Sequence, residues 1–180
     1  MKRLAWQATG IAMLLAAGHA LAGTSVIANG SAEVFAGAGW TDASVDTIRF
    51  TVPGANVGDG SAITGLENGV RTDTLIDASA RAPVNNSRTA VWTVDSSTPL
   101  TCITPATCGS TTIPLTAFRW TVAGGTEIAS GSFNGSASQP LASFRNSRYV
   151  SVTMTFYYSN DVVVPAGRYS GRVVYTVSMP

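Results

Sequence analysis

The sequence predicts an all-β domain, and three observations carry that prediction. The chain is rich in Thr, Ser, Val and Ala, with 18 Gly and 8 Pro among 180 residues, and holds few residues that favour helices. No stretch sustains the 3.6-residue apolar spacing of an amphipathic helix. Instead, short runs alternate apolar and polar side chains with period two, the signature of a strand with one buried face. Gly, Pro and Asn separate those runs and supply turns.

Taken in order, Val45 to Val52 sets Ile48, Phe50 and Val52 against Thr47, Arg49 and Thr51, and stops at Pro53-Gly54. Gly58 to Gly69 is Gly-rich and irregular, with Asn68-Gly69 as a turn signal. Val70 to Ser79 is ambiguous, with room for a short strand. Arg88 to Asp95 places Ala90, Trp92 and Val94 on one face. Ile113 to Val122 reads as one strand with Pro114 near its start, where a missing N–H is tolerated. Glu127 to Phe133 leads into a second turn at Asn134-Gly135. Arg148 to Tyr158 is the clearest interior strand: Val150, Val152, Met154, Phe156 and Tyr158 alternate with Ser151, Thr153, Thr155 and Tyr157. Pro165-Ala166-Gly167 turns the chain into a last run, Tyr169 to Met179, which alternates throughout. Roughly seven to nine strands of this kind, with no internal repeat and no linker, fit a single immunoglobulin-like β-sandwich.

The first 22 residues read as a secretory signal peptide. Lys2 and Arg3 open it, Ile11 to Ala17 form a short apolar core, and Ala20-Leu21-Ala22 has the small-x-small form of a cleavage site. The apolar run falls well short of the roughly 20 residues a spanning helix needs, and no transmembrane segment is expected elsewhere. Cleavage removes the sole histidine, His19, and the sole lysine, Lys2, leaving nine Arg against ten acidic residues. A near-neutral chain has no basic surplus for nucleic acid. Eight acids and four Arg lie between Glu33 and Asp95, against two acids and five Arg from Ser96 onward. That asymmetry suits head-to-tail association, and equally a scattered surface charge.

Catalysis is not expected. Without histidine, Ser-His-Asp and Cys-His arrangements are excluded. Gly37-Ala38-Gly39 and Gly124-Gly125 lack the spacing of a phosphate-cradling loop. Asp42 with Asp46, and Asp73 with Asp77, are the nearest carboxylate pairs, and they read as solvated surface rather than an acid–base pair. Asp42, Asp46 and Asp59 do not make a calcium loop, and no metal site or cofactor is expected. Cys102 and Cys108, separated by five residues in a Thr/Pro loop, are expected to form a disulfide in an oxidising compartment. Closing so short a loop stabilises by roughly 2 kcal/mol. Trp92 and Trp120 fall on apolar strand positions and read as core, whereas Trp40 ends a glycine-rich stretch.

The mature N-terminus alternates as well. Val26, Ala28, Gly30, Ala32 and Val34 share one side, Ser25, Ile27, Asn29, Ser31 and Glu33 the other, and Ala36 to Gly39 follow as a small-residue hinge. Such a strand can complete its own domain or be lent to another copy, since strand addition to a sheet edge is an established mode of recognition. The run Pro165-Ala166-Gly167-Arg168-Tyr169-Ser170-Gly171 leading into Val173, Tyr175, Val177 and Met179 resembles the final strand of subunits of the chaperone–usher pilus families, especially the archaic, spore-coat-U-like group. Ile113-Pro114-Leu115 through Trp120 is similar to a mid-chain segment of the same subunits. The resemblance implies an incomplete immunoglobulin-like sandwich completed by donor-strand exchange. A periplasmic chaperone would lend a strand, an outer-membrane usher would export the subunit, and the next subunit's N-terminal segment would replace the lent strand at the cell surface, in a fimbrium. On this chain it implies residues 23–39 as an N-terminal extension and 40–180 as the sandwich. The donor positions would be Val26, Ala28, Gly30, Ala32 and Val34, and the acceptor edge Tyr169, Val173, Tyr175, Val177 and Met179. The rival expectation is a self-complete secreted sandwich that acts as an adhesin or carbohydrate-binding surface protein.

Overall fold

The computed structural model describes residues 23–27, 33–38, 48–67, 72, 74–81, 89–123, 127–145 and 148–178. Almost all of their regular structure is strand. The strands run, in chain order, β1 (Gly23–Ile27), β2 (Glu33–Ala38), β3 (Ile48–Arg49), β4 (Ile63–Thr64), β5 (Leu66–Glu67), β6 (Thr74–Arg81), β7 (Thr89–Asp95), β8 (Leu100–Cys102), β9 (Thr112–Ile113), β10 (Phe118–Ala123), β11 (Gly131–Ser132), β12 (Gln139–Arg145), β13 (Arg148–Tyr158), β14 (Tyr169–Ser170) and β15 (Val174–Ser178). Among the described residues, helix is confined to one α-turn, α1 (Pro105–Cys108), and two 3-10 turns, Gly54–Asn56 and Leu115–Ala117.

A four-stranded sheet has the order β1-β15-β7-β12. A six-stranded sheet has the order β11-β10-β13-β6-β2, with β4 also pairing β13. Smaller sheets join β14-β8-β9 and β3-β5. Among the described residues every pairing is antiparallel except β1 with β15. The two larger sheets feed one hydrophobic cluster. Ala90, Trp92 and Val94 of β7, Phe144 of β12 and Tyr175 and Val177 of β15 come from one of them; Phe118 and Trp120 of β10 and Val152, Met154, Phe156 and Tyr158 of β13 come from the other. This is the period-two prediction realised: in β7 and β13 the apolar set is buried while Thr93, Thr153, Thr155 and Tyr157 stay half-exposed. Aromatic rings knit the middle, with Trp120 4.9 Å from Phe133 and Phe118 5.1 Å from both Phe50 and Tyr158, between ring centroids.

Four sequence expectations are revised. The final run, Tyr169 to Met179, is two strands: β14 pairs β8, and β15 pairs β7 and β1. The chain changes sheet at Gly171, so close to Leu100 that a Cβ there would lie 3.0 Å from Leu100 Cγ and 3.1 Å from its Cα. Ile113 to Val122 is likewise broken. After Pro114 the chain makes one 3-10 turn, closed by the Ala117 N–H donating to Pro114 O at 3.1 Å, before β10 begins. At the N-terminus, the run Val26 to Val34 divides between β1 and β2, on different sheets, with residues 28–32 outside the described set. Ala36, Gly37 and Ala38, expected as a hinge, are the second half of β2 and pair with Ala78, Asp77 and Ile76. Backbone pairing needs no side chain, so small residues with a long partner strand beside them still form a ladder.

Candidate strand-exchange seam

The two N-terminal strands lie at the margins of the two large sheets. β1 is the outermost strand of the four-stranded sheet, and β2 of the six-stranded one. β1 runs parallel to β15 in the register Val26↔Val177, with Gly23 opposite Val174 and Ile27 opposite Ser178. β2 runs antiparallel to β6, with Val34 opposite Ala80. Each therefore holds to its sheet through a single neighbour along the ladder.

The strand that β1 covers is anchored from the other side. β15 pairs β7 from Val174↔Asp95 to Ser178↔Val91. Tyr175 and Val177 point into the core, where the Tyr175 ring meets Trp92 edge-on at 6.3 Å. Burial pushes the Tyr175 phenol well above its ordinary pKa, so the ring is neutral at any physiological pH. Trp92 is fully buried and its Nε1–H has no hydrogen-bond partner. The other core indole, Trp120, donates to Ala129 O at 2.9 Å.

Of the expected donor positions, Val26 lies in β1 and Val34 in β2, while Ala28, Gly30 and Ala32 fall outside the described residues. Of the acceptor positions, Tyr175 and Val177 are the buried side chains of β15, and Val173 packs half-buried against the core just before it. Tyr169 also packs on the core but belongs to β14, opposite Cys102, and its hydroxyl donates to Pro165 O at 2.8 Å. Met179 is outside the described residues. The two cysteines are joined, with Cα atoms 5.9 Å apart, across the loop between β8 and β9 that contains α1.

Local patterning carries no hint of the polar knot that fixes the loop at residues 53–61. Asn160, almost fully buried and at φ 53°, accepts from the Gly58 N–H at 3.1 Å. It donates to Asn56 O at 2.7 Å and to the Asp59 carboxylate at 3.1 Å. Asp59 also receives the Ser61 amide at 2.8 Å, the Ser61 hydroxyl and the Asn56 side-chain amide. Led by the two Ser61 bonds, these hold its carboxyl below the usual range. Asp95 is held low in the same way by the Ser97 amide and hydroxyl, with help from Arg172. Both carboxylates serve turns of their own loops.

Asp42, Asp46 and Asp73 lie outside the described residues, as does Trp40, and Asp77 sits in the middle of β6. Among the described residues no cluster of three or more His, Cys, Asp or Glu side chains could hold a metal, and no helix is long and apolar enough to cross a membrane. Comparison with protein-family models, with curated proteins and with solved structures finds no match to this chain.

Proposed function

We propose that this protein is a structural subunit of a surface fibre, built on an immunoglobulin-like sandwich whose last edge is closed by a strand that one copy can donate to another. The observation that carries the reading is the arrangement at the N-terminus. β1 covers the C-terminal strand β15 through one parallel ladder, its single ladder among the described residues. Parallel pairing is slightly weaker per residue than antiparallel pairing, and an outermost strand opens before an interior one. If β1 leaves, β15 keeps its pairing to β7 and offers a bare backbone edge above a packed core. Main-chain hydrogen bonds to that edge would give affinity, and alternate side chains would give specificity.

In this reading residues 1–22 direct export, the fibre stands at the cell surface, and a periplasmic chaperone with an outer-membrane usher handles the open subunit. The protein catalyses nothing. A second reading, a self-complete secreted adhesin or carbohydrate-binding protein, is favoured by one specific observation: β1 closes the sheet of its own chain.

Deletion of residues 23–38 separates the two. For a donated strand, the full mature chain runs as a ladder of oligomers in size-exclusion chromatography, while the truncated body aggregates alone, stays soluble with an added peptide of that sequence and forms no ladder. A full-length protein that remains monomeric, melts cooperatively and ignores the peptide overturns strand donation.

A further inference from the structure

The turn that launches the C-terminal strand is built on the disulfide. Across residues 167–170, the Ile103 N–H donates to Arg168 O at 2.8 Å, the Arg168 N–H donates to Thr104 Oγ1 at 2.9 Å, and Tyr169 and Ser170 pair with Cys102 and Thr101. Gly167 rests on the half-cystine itself. A Cβ at that position would lie 2.4 Å from Cys108 Sγ and 2.7 Å from its Cβ, so no other residue fits without moving the sulfur. Beneath it Cys108 is 2 % exposed, whereas Cys102 is half-buried. Three residues past this platform the chain has changed sheet, and β15 begins at Val174.

Thr104 is the joint. Its Oγ1 stands 3.3 Å from Cys108 Sγ. A half-cystine carries no proton, so the Thr104 hydroxyl donates to the sulfur and thereby presents its lone pairs to the Arg168 N–H. A thiol at Cys108 would instead be a donor, with Thr104 O within 3.5 Å of it. Reduction therefore places a new donor, the Cys108 S–H, beside the Thr104 carbonyl and hydroxyl, and also frees the loop that Gly167 lies on.

We propose that the Cys102–Cys108 loop is a redox-controlled latch on the C-terminal strand. Oxidised, it seats residues 167–170 and fixes the start of β15; reduced, it releases them. The latch works in both directions, because the seated turn covers the leaving sulfur. A thiolate of a small dithiol attacks Cys102 Sγ, the S–S bond breaks, and Cys108 leaves as a thiolate that takes a proton from water. The reagent's second thiolate then attacks its own sulfur in the mixed disulfide and releases Cys102, which is protonated in turn. Two electrons pass from the dithiol, which ends as a disulfide, to the protein, which ends with two thiols. The leaving Cys108 thiolate forms in a desolvated place under Gly167, which slows the first step for as long as the turn is seated. This goes beyond fibre assembly and applies to a self-complete fold equally.

The test uses the full mature chain, purified oxidised, with hydrogen exchange read by mass spectrometry before and after treatment with dithiothreitol. Reduction should lower protection over 167–178 by at least about tenfold while β10 and the second half of β13 change little. Unseating the turn should act in reverse. Gly167→Ala, and separately the isosteric Thr104→Val, which removes the acceptor for the Arg168 N–H but keeps the loop's shape, should speed reduction by roughly tenfold. Unchanged protection of 174–178 on reduction overturns the latch. So does a loss spread evenly over β10 and β13, which would make the bond a staple of the whole fold, and so do wild-type reduction rates in both variants.

Discussion

Replacing Asn160 by alanine tests whether the buried knot, rather than the exposed acids around it, holds the loop at residues 53–61. The side chain makes three hydrogen bonds, to the Gly58 N–H, to Asn56 O and to Asp59. Asp59 is solvent-exposed and regains water when Asn160 is lost, so its bond adds nothing to the sum. The other two contribute about 1 kcal/mol each, as partners in a partly buried site. The backbone adds a further cost. Asn160 sits at φ 53°, a left-handed conformation that asparagine tolerates and that disfavours alanine by roughly 1 kcal/mol. Asn160→Ala should therefore destabilise by about 3 kcal/mol, and Asn160→Gly, which loses the bonds but accepts the backbone, by about 2 kcal/mol. Urea unfolding followed by tryptophan fluorescence gives both values, provided the slope m is the same in each variant. An alanine variant within about 0.5 kcal/mol of wild type would refute the reasoning, since surface changes fall in that range. Equal losses for alanine and glycine would refute the backbone part alone.

Two further outcomes follow from the core and the loops. Trp92→Phe removes a fully buried N–H that has no acceptor, so part of the packing loss is offset; Trp120→Phe strands the Ala129 carbonyl. The Trp120 change should cost more by roughly 1 kcal/mol, and the reverse order in urea titrations would be a refutation. Stability should be lost at both pH extremes. Asp59 and Asp95 are held low, so their contribution is complete above the ordinary carboxylate value of about 4 and fades as pH falls through the depressed values, while Tyr175 is held high, so stability is level below about pH 10 and falls above it. Denaturant midpoints from pH 2 to 5, and tyrosinate absorbance on the alkaline side, check each limb; a Tyr175 phenol that ionises with a normal midpoint in folded protein contradicts its burial.

How far the fold could be read from the chain depended on how much each strand spends on side-chain signal. β13 sets Val150, Val152, Met154 and Phe156 against Ser151, Thr153 and Thr155, β7 sets Ala90, Trp92 and Val94 on one face, and their expected bounds match the observed ones within a residue. β6 carries Ala78, Ser79 and Ala80 in its second half, and the sequence offered only an ambiguous short strand. The partner β13 supplies the specificity there, pairing from Arg148↔Ala80 to Met154↔Thr74. β12 was missed because Pro140, Ala142 and Ser143 look like loop; it lies at the margin of its sheet, with a register shift between Pro140 and Ala142, where a proline and a bulge are tolerated. The break in the final run was invisible for a different reason. Tyr169, Val173, Tyr175 and Val177 keep one parity and all face the same core, so the alternation survives although the pairing partner changes at Gly171. Asn160 could not be recognised at all. Its role depends on the approach of a loop about a hundred residues earlier, and local sequence carries no trace of such contacts.

The seam poses a question of competition. Under the proposed function, a second copy must displace a strand that is already tethered to the body it covers. A tethered strand acts at an effective concentration in the millimolar range, so an identical donated strand in the identical register gains nothing per hydrogen bond and loses on entropy. Donation can win only if the incoming segment pairs with β15 more favourably than β1 does. β1 stops at Ile27 and β2 starts on the other sheet at Glu33. β1 already spans β15 from Val174 to Ser178, so the lever is direction: a donated strand that enters antiparallel makes the slightly stronger pairing, and a continuous one through Val26, Ala28, Gly30, Ala32 and Val34 gives up the β2–β6 ladder in the donor. The balance between those two ladders, rather than the strength of either, decides between a closed monomer and a fibre. Under that reading small side chains at Ala28, Gly30 and Ala32 suit the fibre, because they would let a strand lie close beside β15, whose Tyr175 and Val177 already fill the core.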